Sequence, residues 1–232
     1  MGLHLTRRGA LVALAWGAVV CFSVSGAQAQ PAGPGPITQE GQRLVALLDS
    51  TNVETLWQHG YHINWRTGAA EGPPLSSPGA HTHCSAFAAS VAERLGVYLL
   101  RPPDHPQNWL ANAQERWLNS PQASGWHRIG QLADAGASLS AVALANQGKL
   151  VLAIYFQPPR ETPEGPKQRS GHIAIVRPSE KAVALIDSEG PNVIQAGGTN
   201  HRLVALRDGF ASHKQGLSTG AIEYFWHDAN TP

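Results

Sequence analysis

The chain has little cysteine, with two residues in 232, and it has no excess of charge of either sign. It carries 17 Lys and Arg against 16 Asp and Glu, a formal net charge of +1. A protein that binds nucleic acid or an anionic membrane surface usually shows a clear basic excess. We therefore expect neither nucleic acid nor a membrane surface among its partners.

The first 29 residues have the pattern of an export signal. Arg7 and Arg8 precede an apolar run over residues 10–24, and residues 27–29 (AQA) form a cleavage site of the small-x-small type. The apolar run is short and contains glycine, which is unfavourable for a membrane span. We expect removal of residues 1–29 and a periplasmic or secreted protein without a membrane anchor. Both the general and the twin-arginine export routes fit the pattern.

Removal of this signal leaves Cys84 as the single cysteine of the mature protein. A disulfide within the chain is then excluded. An unpaired thiol in an oxidising compartment is a liability unless it is buried or used in chemistry. Both explanations are open for a lone cysteine, and its surroundings have to distinguish them.

The remaining chain predicts a Pro/Gly-rich flexible leader over residues 30–36 and a single domain over residues 37–232. Apolar periodicity and breaker residues predict helices mainly in the first half and strands in the second. This distribution is typical of an α+β fold with an antiparallel sheet. The expected helices cover residues 38–48, 51–60, 84–95, 109–118 and 138–146, and the expected strands cover residues 149–157, 172–176, 182–187, 192–196 and 221–227.

Residues 81–87 (HTHCSAF) put Cys84 at the beginning of a helix that Gly96 ends. Thr82 is a suitable N-cap, which would place Cys84 in the first turn. Unpaired backbone N–H groups and the helix dipole favour a thiolate at that position, and the thiolate is the nucleophilic form. The alternative is that Cys84 is a small core residue beneath Ala88.

Two polar residues in apolar strands are candidates to activate this thiol. His172 opens the apolar segment 172–176, directly after Gly171, and Gln195 interrupts the apolar segment 193–196. A buried glutamine needs hydrogen-bond partners, and an imidazolium is a good one. The pattern suggests a triad with Cys84 as nucleophile, His172 as base and Gln195 as orienting group.

These segments resemble the NlpC-type cell-wall cysteine hydrolases over roughly residues 80–200. The resemblance is carried by Cys-Ser-Ala-Phe at residues 84–87, by Leu-Gly-Val at 95–97 and Leu-Arg-Pro at 100–102, and by the Gly-His strand at 171–176. That strand is also similar to the CHAP amidases, and residues 193–196 match the family strand with the third catalytic residue. The resemblance implies a papain-like core in which the nucleophile helix packs against an antiparallel sheet.

The resemblance also implies residues that bind the substrate and residues that depart from the family. His83 stands where the family often has an aspartate that reads a substrate amine, and Tyr61 corresponds to a family tyrosine upstream of the nucleophile. The segment before Gln195 is longer than usual, which leaves Asp187 and Asn200 as alternatives for the third role. The candidates for substrate binding are His83, Ser85, Tyr61 and Asn200.

The sequence therefore predicts a monomeric, exported cysteine hydrolase that cleaves amide bonds in peptidoglycan or a related peptide and needs no metal or organic cofactor. An acyltransferase or transglutaminase-like enzyme on the same fold is one alternative. A non-catalytic cell-wall binding protein is another. His81, His83 and Cys84 also suggest a zinc site, but a fourth ligand at motif spacing is missing from the sequence.

Overall fold

The computed structural model describes residues 1–2, 33–77 and 82–230. The chain divides into two compact units, Met1–Gln30 and Pro31–Pro232, and all helices and strands of the described residues belong to the second unit. The predicted export signal lies outside the described residues, except for its first two. No helix of the described segments is both long and apolar enough to cross a membrane. Part of the predicted flexible leader is bound to the helical residue Asn146, whose Nδ2 donates to the Gly35 carbonyl at 2.8 Å.

The described residues form an alternating set of helices and strands. In chain order they are α1 (Gln39–Asp49), α2 (Cys84–Arg94), α3 (Leu110–Leu118), β1 (His127–Gln131), α4 (Ala137–Asn146), β2 (Leu150–Tyr155), β3 (His172–Val176), α5 (Val183–Glu189), β4 (Asn192–Gln195), β5 (His201–Ala205), α6 (Leu206–Gly209), α7 (Lys214–Thr219) and β6 (Glu223–His227). The predicted helices at 38–48, 84–95, 109–118 and 138–146 are confirmed to within one or two residues. Four predicted strands are also confirmed, to within two residues at either end: 149–157, 172–176, 192–196 and 221–227.

The strands of the described segments form one antiparallel sheet in the order β1-β6-β2-β3-β4-β5. Every residue of β2 and β3 is buried, which explains why both strands read as nearly continuous apolar runs. Tyr155 pairs with His172 across β2 and β3, and Ile175 pairs with Ile194 across β3 and β4. This antiparallel register brings the first residue of β3 and the last residue of β4 to the same end of the sheet.

Helices pack against both faces of the sheet. Leu152 of β2 belongs to a core that also contains Leu44 of α1 and Phe87 of α2. The next residue of β2, Ala153, faces a second core that contains Val142 of α4. This two-residue alternation is the side-chain period of a strand. An α+β fold is therefore confirmed, with α2 packed on β3 of an antiparallel sheet.

The predicted helix over residues 51–60 is wrong, because these residues form turns. Thr51 does not cap a helix: its hydroxyl donates to the Leu48 carbonyl at 2.7 Å. Asn52 and Trp57 have φ values of 52° and 51°, which a right-handed helix does not allow. The turns bury Trp57 completely, and its backbone N–H donates to the Gly68 carbonyl at 2.8 Å.

The predicted strand over residues 182–187 is also wrong, because this segment belongs to the helix α5. The Ile186 N–H donates to the Ala182 carbonyl at 2.9 Å, which is the helical i to i−4 pattern. Ile186 is the only residue of α5 that is buried, so the segment lacks the alternating burial that stabilises a half-buried strand.

Two strands were not predicted. β1 and β5 lie at the two edges of the sheet, and their residues are largely exposed or half-buried. An edge strand pairs on one side only and needs few apolar residues, so its sequence carries a weak periodic signal. The sequence therefore revealed the centre of the sheet better than its edges.

The close approach of Gly68 to Trp57 leads to a test by substitution. Gly68 has a φ of +73°, and a Cβ at this position would lie 2.8 Å from Cε2 of the Trp57 ring. Gly136 has nearly the same φ, +77°, but a Cβ added there would have no heavy atom within 4 Å. We expect Gly136→Ala to lower the free energy of unfolding by about 1–2 kcal/mol from left-handed backbone strain. Gly68→Ala should cost about 1–3 kcal/mol more from overpacking.

Urea denaturation followed by tryptophan fluorescence measures both losses. Trp57 also contacts Phe87 of α2 edge-to-face, with ring centroids 5.2 Å apart, so displacement of its ring should loosen the helix that begins at Cys84. Equal losses for the two variants would contradict the packing of the Trp57 ring against Gly68.

Candidate active site

Cys84 is the first residue of α2, and the helix holds it against the sheet. Residues 84–92 are all buried, and four of them are alanines, whose small side chains let the helix lie close to β3. Phe87 and Val91 fill the core on the same side. Gly96, with a φ of 70°, ends the last turn. Cys84 is unpaired and only 3% exposed.

The prediction that Thr82 caps this helix is wrong. The N-cap is His83, with φ −122° and ψ 25°, and no side chain caps α2 there. Thr82 lies two positions before the first helical residue, whereas a capping side chain has to stand immediately before it. The first-turn N–H groups therefore remain available to the cysteine, and the Ser85 N–H donates a hydrogen bond to the Cys84 sulfur.

His172 and Gln195 come together at one end of the sheet, as the pairing of β3 with β4 requires. Both side chains are buried, and His172 Nε2 lies 2.8 Å from Gln195 Oε1. Gln195 Nε2 donates to the Gly209 carbonyl at 3.3 Å, which orients the amide so that its oxygen faces the imidazole. An amide oxygen only accepts hydrogen bonds, so His172 Nε2 carries the hydrogen. The Nδ1 nitrogen is then the one that can take a proton.

Cys84 and His172 shift each other's pKa, through their charges and through a hydrogen bond between thiol and ring. Burial raises the pKa of the Cys84 thiol, but the charge of His172, this hydrogen bond and the N–H groups of Ile173 and Ser85 outweigh it. The pKa of the thiol therefore lies below its ordinary value. Burial lowers the pKa of His172, but the Cys84 thiolate and the hydrogen bonds to Cys84 and Gln195 outweigh it and raise that pKa. The two shifts together favour a thiolate–imidazolium pair.

Asn112 of α3 holds the chain just before His172. Its side chain is 2% exposed, and Nδ2 donates to the Gln157 and Arg169 carbonyls, both at 3.0 Å. Oδ1 accepts from the Gln157 N–H at 3.0 Å. A Cβ on Gly171 would clash with Asn112 Oδ1, so a glycine is needed at this close approach. The start of β3, and with it the His172 ring, is thus fixed from α3.

A second histidine lies against the first. The His213 ring stacks on His172, with centroids 5.4 Å apart and an interplanar angle of 13°. His213 Nδ1 lies 3.2 Å from Gln157 Oε1. Burial, followed by the charges of His172 and Arg169, lowers the pKa of His213 to about 3. The His213 ring is therefore neutral at physiological pH, and His172 is the histidine of this stack whose pKa is raised.

Two cavities open beside these residues. The first, of about 690 Å³, is lined by His172, Gln195 and His213 among others. The second, of about 680 Å³, is lined by residues that include Tyr61 and His83. Thr82, Trp109 and Ser170 line both cavities, so the two share a wall. Together they offer room for an extended ligand that passes the start of α2.

Three of the four predicted substrate-binding residues lie near Cys84. His83 Nε2 lies 3.0 Å from the Tyr61 carbonyl, and both residues line the second cavity. Ser85 is 6% exposed, and its carbonyl accepts from Gln114 Nε2 at 3.1 Å. Ser85 therefore contacts the thiol through its backbone, and its neighbour Gln114 holds the first turn of α2 in place.

Asn200 and Asp187 lie elsewhere. Asn200 Oδ1 accepts from the Gly197 N–H at 2.9 Å, and its Nδ2 donates to the carbonyls of Val53 and Leu56 at 2.7 and 2.8 Å. This amide ties the β4–β5 turn to the segment before Trp57. Asp187 is exposed on α5. Of the three candidates for the third role, Gln195 is the one that contacts the His172 ring.

The possible zinc site falls partly outside the described residues, because His81 is not among them. Within residues 33–77 and 82–230, no group of three or more His, Cys, Asp or Glu side chains is arranged to hold a metal ion. His83 instead has its ring nitrogen on the Tyr61 carbonyl.

Sequence reasoning did not identify Asn112, Gln157 or His213 as parts of this site. Gln157 is the first polar residue after a long apolar run, and Asn112 is a polar residue between two alanines of α3. Both are 2% exposed, so polarity within an apolar setting was a usable signal. His213 lies in a polar turn before α7, where the sequence offers no comparable signal.

Comparison with known proteins assigns no family to this arrangement. No family model matches the chain, and no curated protein matches its sequence. The resemblance to NlpC-type hydrolases therefore consists of the motifs around Cys84, His172 and Gln195.

The thiolate–imidazolium pair leads to a test by alkylation. A free cysteine has a pKa of about 8.5, and iodoacetamide reacts with the thiolate. Since the pKa of Cys84 is lowered, its alkylation rate should reach a plateau below that pH and fall only as acid protonates the thiolate. In His172→Ala, burial remains without the imidazolium, so the pKa should rise above its ordinary value. The rate at pH 7 should then drop at least about tenfold, the change in thiolate for one pKa unit.

Mass spectrometry of Cys84 over a pH series measures these rates. Gln195→Ala is the matched variant, because it keeps the imidazole and removes one of the contacts that raise its pKa. Its profile should lie between those of the unmodified protein and His172→Ala. Identical profiles for all three proteins would contradict activation of Cys84 by His172.

Proposed function

We propose that the protein is an exported cysteine hydrolase that cleaves amide bonds, with peptidoglycan peptides as the substrate class. The observation that carries this proposal is the arrangement of a buried cysteine whose pKa His172 lowers, with the His172 ring held by Gln195 Oε1 at 2.8 Å. A buried cysteine in a purely structural role needs neither a lowered pKa nor an oriented base. Perturbed ionisation of this kind next to a cavity is typical of active sites.

In the first half of the proposed reaction, the Cys84 sulfur attacks the carbonyl carbon of the amide. The Cys84 proton resides on His172 Nδ1, so the sulfur attacks as thiolate and a C–S bond forms. The N–H of Cys84 is one of the unpaired first-turn donors of α2 and is suited to hold the developing oxyanion. His172 then gives its proton to the leaving nitrogen as the C–N bond breaks, which releases the amine and leaves a thioester.

In the second half, water takes the place of the amine. Neutral His172 accepts a proton from water at Nδ1, the water oxygen bonds to the thioester carbon, and the C–S bond breaks. The proton on His172 and the thiolate of Cys84 restore the starting pair. Gln195 takes no proton; it accepts from Nε2 throughout and keeps the tautomer and the ring orientation that both halves need.

Within the α+β class, we propose that the fold has a papain-like core of the NlpC type. Its support is that a helix carries the cysteine, the adjacent strand β3 carries the histidine, and β4 carries the third residue. This is the arrangement that the resemblance implies. The signal-like pattern of residues 1–29 supports a periplasmic or secreted location, where peptidoglycan is accessible.

Acyl transfer to an amine is the second candidate function. Cys84 is 3% exposed, so a thioester on its sulfur would be largely shielded from bulk water. A shielded thioester survives longer and gives a second amine time to bind in place of the first. The same residues would serve, and the product would be a new amide in place of a carboxylic acid.

Digestion of purified muropeptides followed by mass spectrometry tests the proposal. The unmodified protein should cut an amide bond, and Cys84→Ala and His172→Ala should each lower the rate at least about 10³-fold, since the two residues act as a unit. Gln195→Ala should lower it less, because it removes an orienting contact and leaves the nucleophile and base. Addition of a free amine separates hydrolysis from transfer by the mass of the product.

His105→Ala is the matched control for His172→Ala, since His105 lies on the loop before α3 and its Nδ1 contacts the Pro106 carbonyl. It should cleave at the unmodified rate. Undiminished cleavage by Cys84→Ala would contradict the mechanism, and the absence of any cleaved muropeptide with the unmodified protein would contradict the substrate class.

A further inference from the structure

The loop between β2 and β3, residues 156–171, is held in place beside the first cavity, which several of its residues line. At its base, Asn112 binds the carbonyls of Gln157 and Arg169. Further out, Arg160 and Lys167 pair through two backbone hydrogen bonds of 2.9 and 2.8 Å. These hydrogen bonds hold the loop in a hairpin conformation. The second arm of the hairpin places Lys167 and Arg169 at the rim of the first cavity.

This rim is cationic. Lys167 and Arg169 both line the first cavity and are exposed, and neither has an ion-pair partner within the described residues. Asp208 is the single carboxylate among the lining residues that the structure describes. The charge of Arg169 acts on His213 in the cavity wall and contributes to the lowered pKa of that residue. The cavity next to the imidazole therefore favours a ligand with negative charge.

A buried hydrogen-bond donor is a second, independent indication of a ligand, and this ligand would have to accept a hydrogen bond. Gln157 lines the same cavity and is 2% exposed, and its Oε1 is paired with His213. Its Nε2 has no hydrogen-bond partner in the described part of the chain. A buried polar group without a partner costs stability, and such groups in native structures are commonly satisfied by a bound molecule.

We propose that the cavity bounded by Gln157, Lys167 and Arg169 is a subsite for a carboxylate group of the substrate, next to the amide bond that Cys84 attacks. This inference rests on the proposed function and makes its substrate class more specific. The selected peptides carry a free carboxylate close to the cleaved amide. Arg169 is suited to a bidentate contact and Lys167 to a point-charge contact, while the Gln157 amide donates from the wall.

A pair of substrates that differ only in charge tests this subsite. Muropeptides are used as such, and a second portion has its free carboxylates converted to carboxamides with carbodiimide and ammonia. We expect kcat/KM for the native muropeptides to exceed that for the amidated ones at least about tenfold. Arg169→Gln and Lys167→Gln should raise KM several-fold for the native substrate and leave the amidated substrate unaffected.

Two variants serve as matched controls. Arg160→Gln removes the same charge from the same loop outside the cavity, and it should behave as the unmodified protein on both substrates. Asp208→Asn removes the opposing carboxylate from the lining and should lower KM for the native substrate. Equal cleavage of both substrates, or a loss in Arg169→Gln that is the same for both, would overturn the subsite.

A binding measurement keeps the subsite testable if no muropeptide is cleaved. N-acetylglycine and N-acetylglycinamide, which differ by a carboxylate against a carboxamide, are titrated into ¹⁵N-labelled Cys84→Ala protein. The carboxylate probe should shift the side-chain amide signal of Gln157 and the ring signals of His213, and Arg169→Gln should abolish these shifts. Equal shifts with both probes, or no shift with either, would overturn the subsite, whereas failure to cleave alone would overturn the proposed function.

Discussion

The two nitrogens of the His172 ring have different partners, and the site depends on that difference. Nε2 is held by Gln195 Oε1 at 2.8 Å, and the other nitrogen is left to exchange a proton with Cys84. The Gly209 carbonyl fixes the amide of Gln195 and thereby the tautomer of the imidazole. If this orientation were lost, the hydrogen would be free to sit on the nitrogen that faces the sulfur, and burial would keep Cys84 protonated.

The rest of the fold holds these buried side chains together. The antiparallel register of β3 and β4 brings His172 and Gln195 to one end of the sheet, and the alanines of α2 let Cys84 lie close to His172. Asn112 fastens the chain on either side of the β2–β3 loop, so one buried amide positions both the start of β3 and the cationic rim. Asn112 therefore supports both the position of His172 and the position of the cationic residues of the cavity.

The sequence predicted what depends on local pattern and missed what depends on distant contacts. Cys84 at a helix start and His172 and Gln195 in apolar strands stand out, because polar residues are rare in such segments. The turns at 51–60 were mistaken for a helix, since the burial of Trp57 against Gly68 overrides a capping-box pattern. Lys167 and Arg169 look like any polar loop, and only the hairpin brings them to the cavity. Tertiary packing, which periodicity does not encode, decided these cases.

The ionisation state of Cys84 and His172 in the resting protein is the most direct test of this account. With ¹³Cβ-labelled cysteine and ¹⁵N-labelled histidine, NMR reports the thiolate and the imidazolium in one sample across a pH series. At pH 7 the account predicts a thiolate at Cys84 and both nitrogens of His172 protonated, with the two signals titrating together. A Cys84 that remains a thiol up to its ordinary pKa of about 8.5, beside a neutral His172, would contradict it.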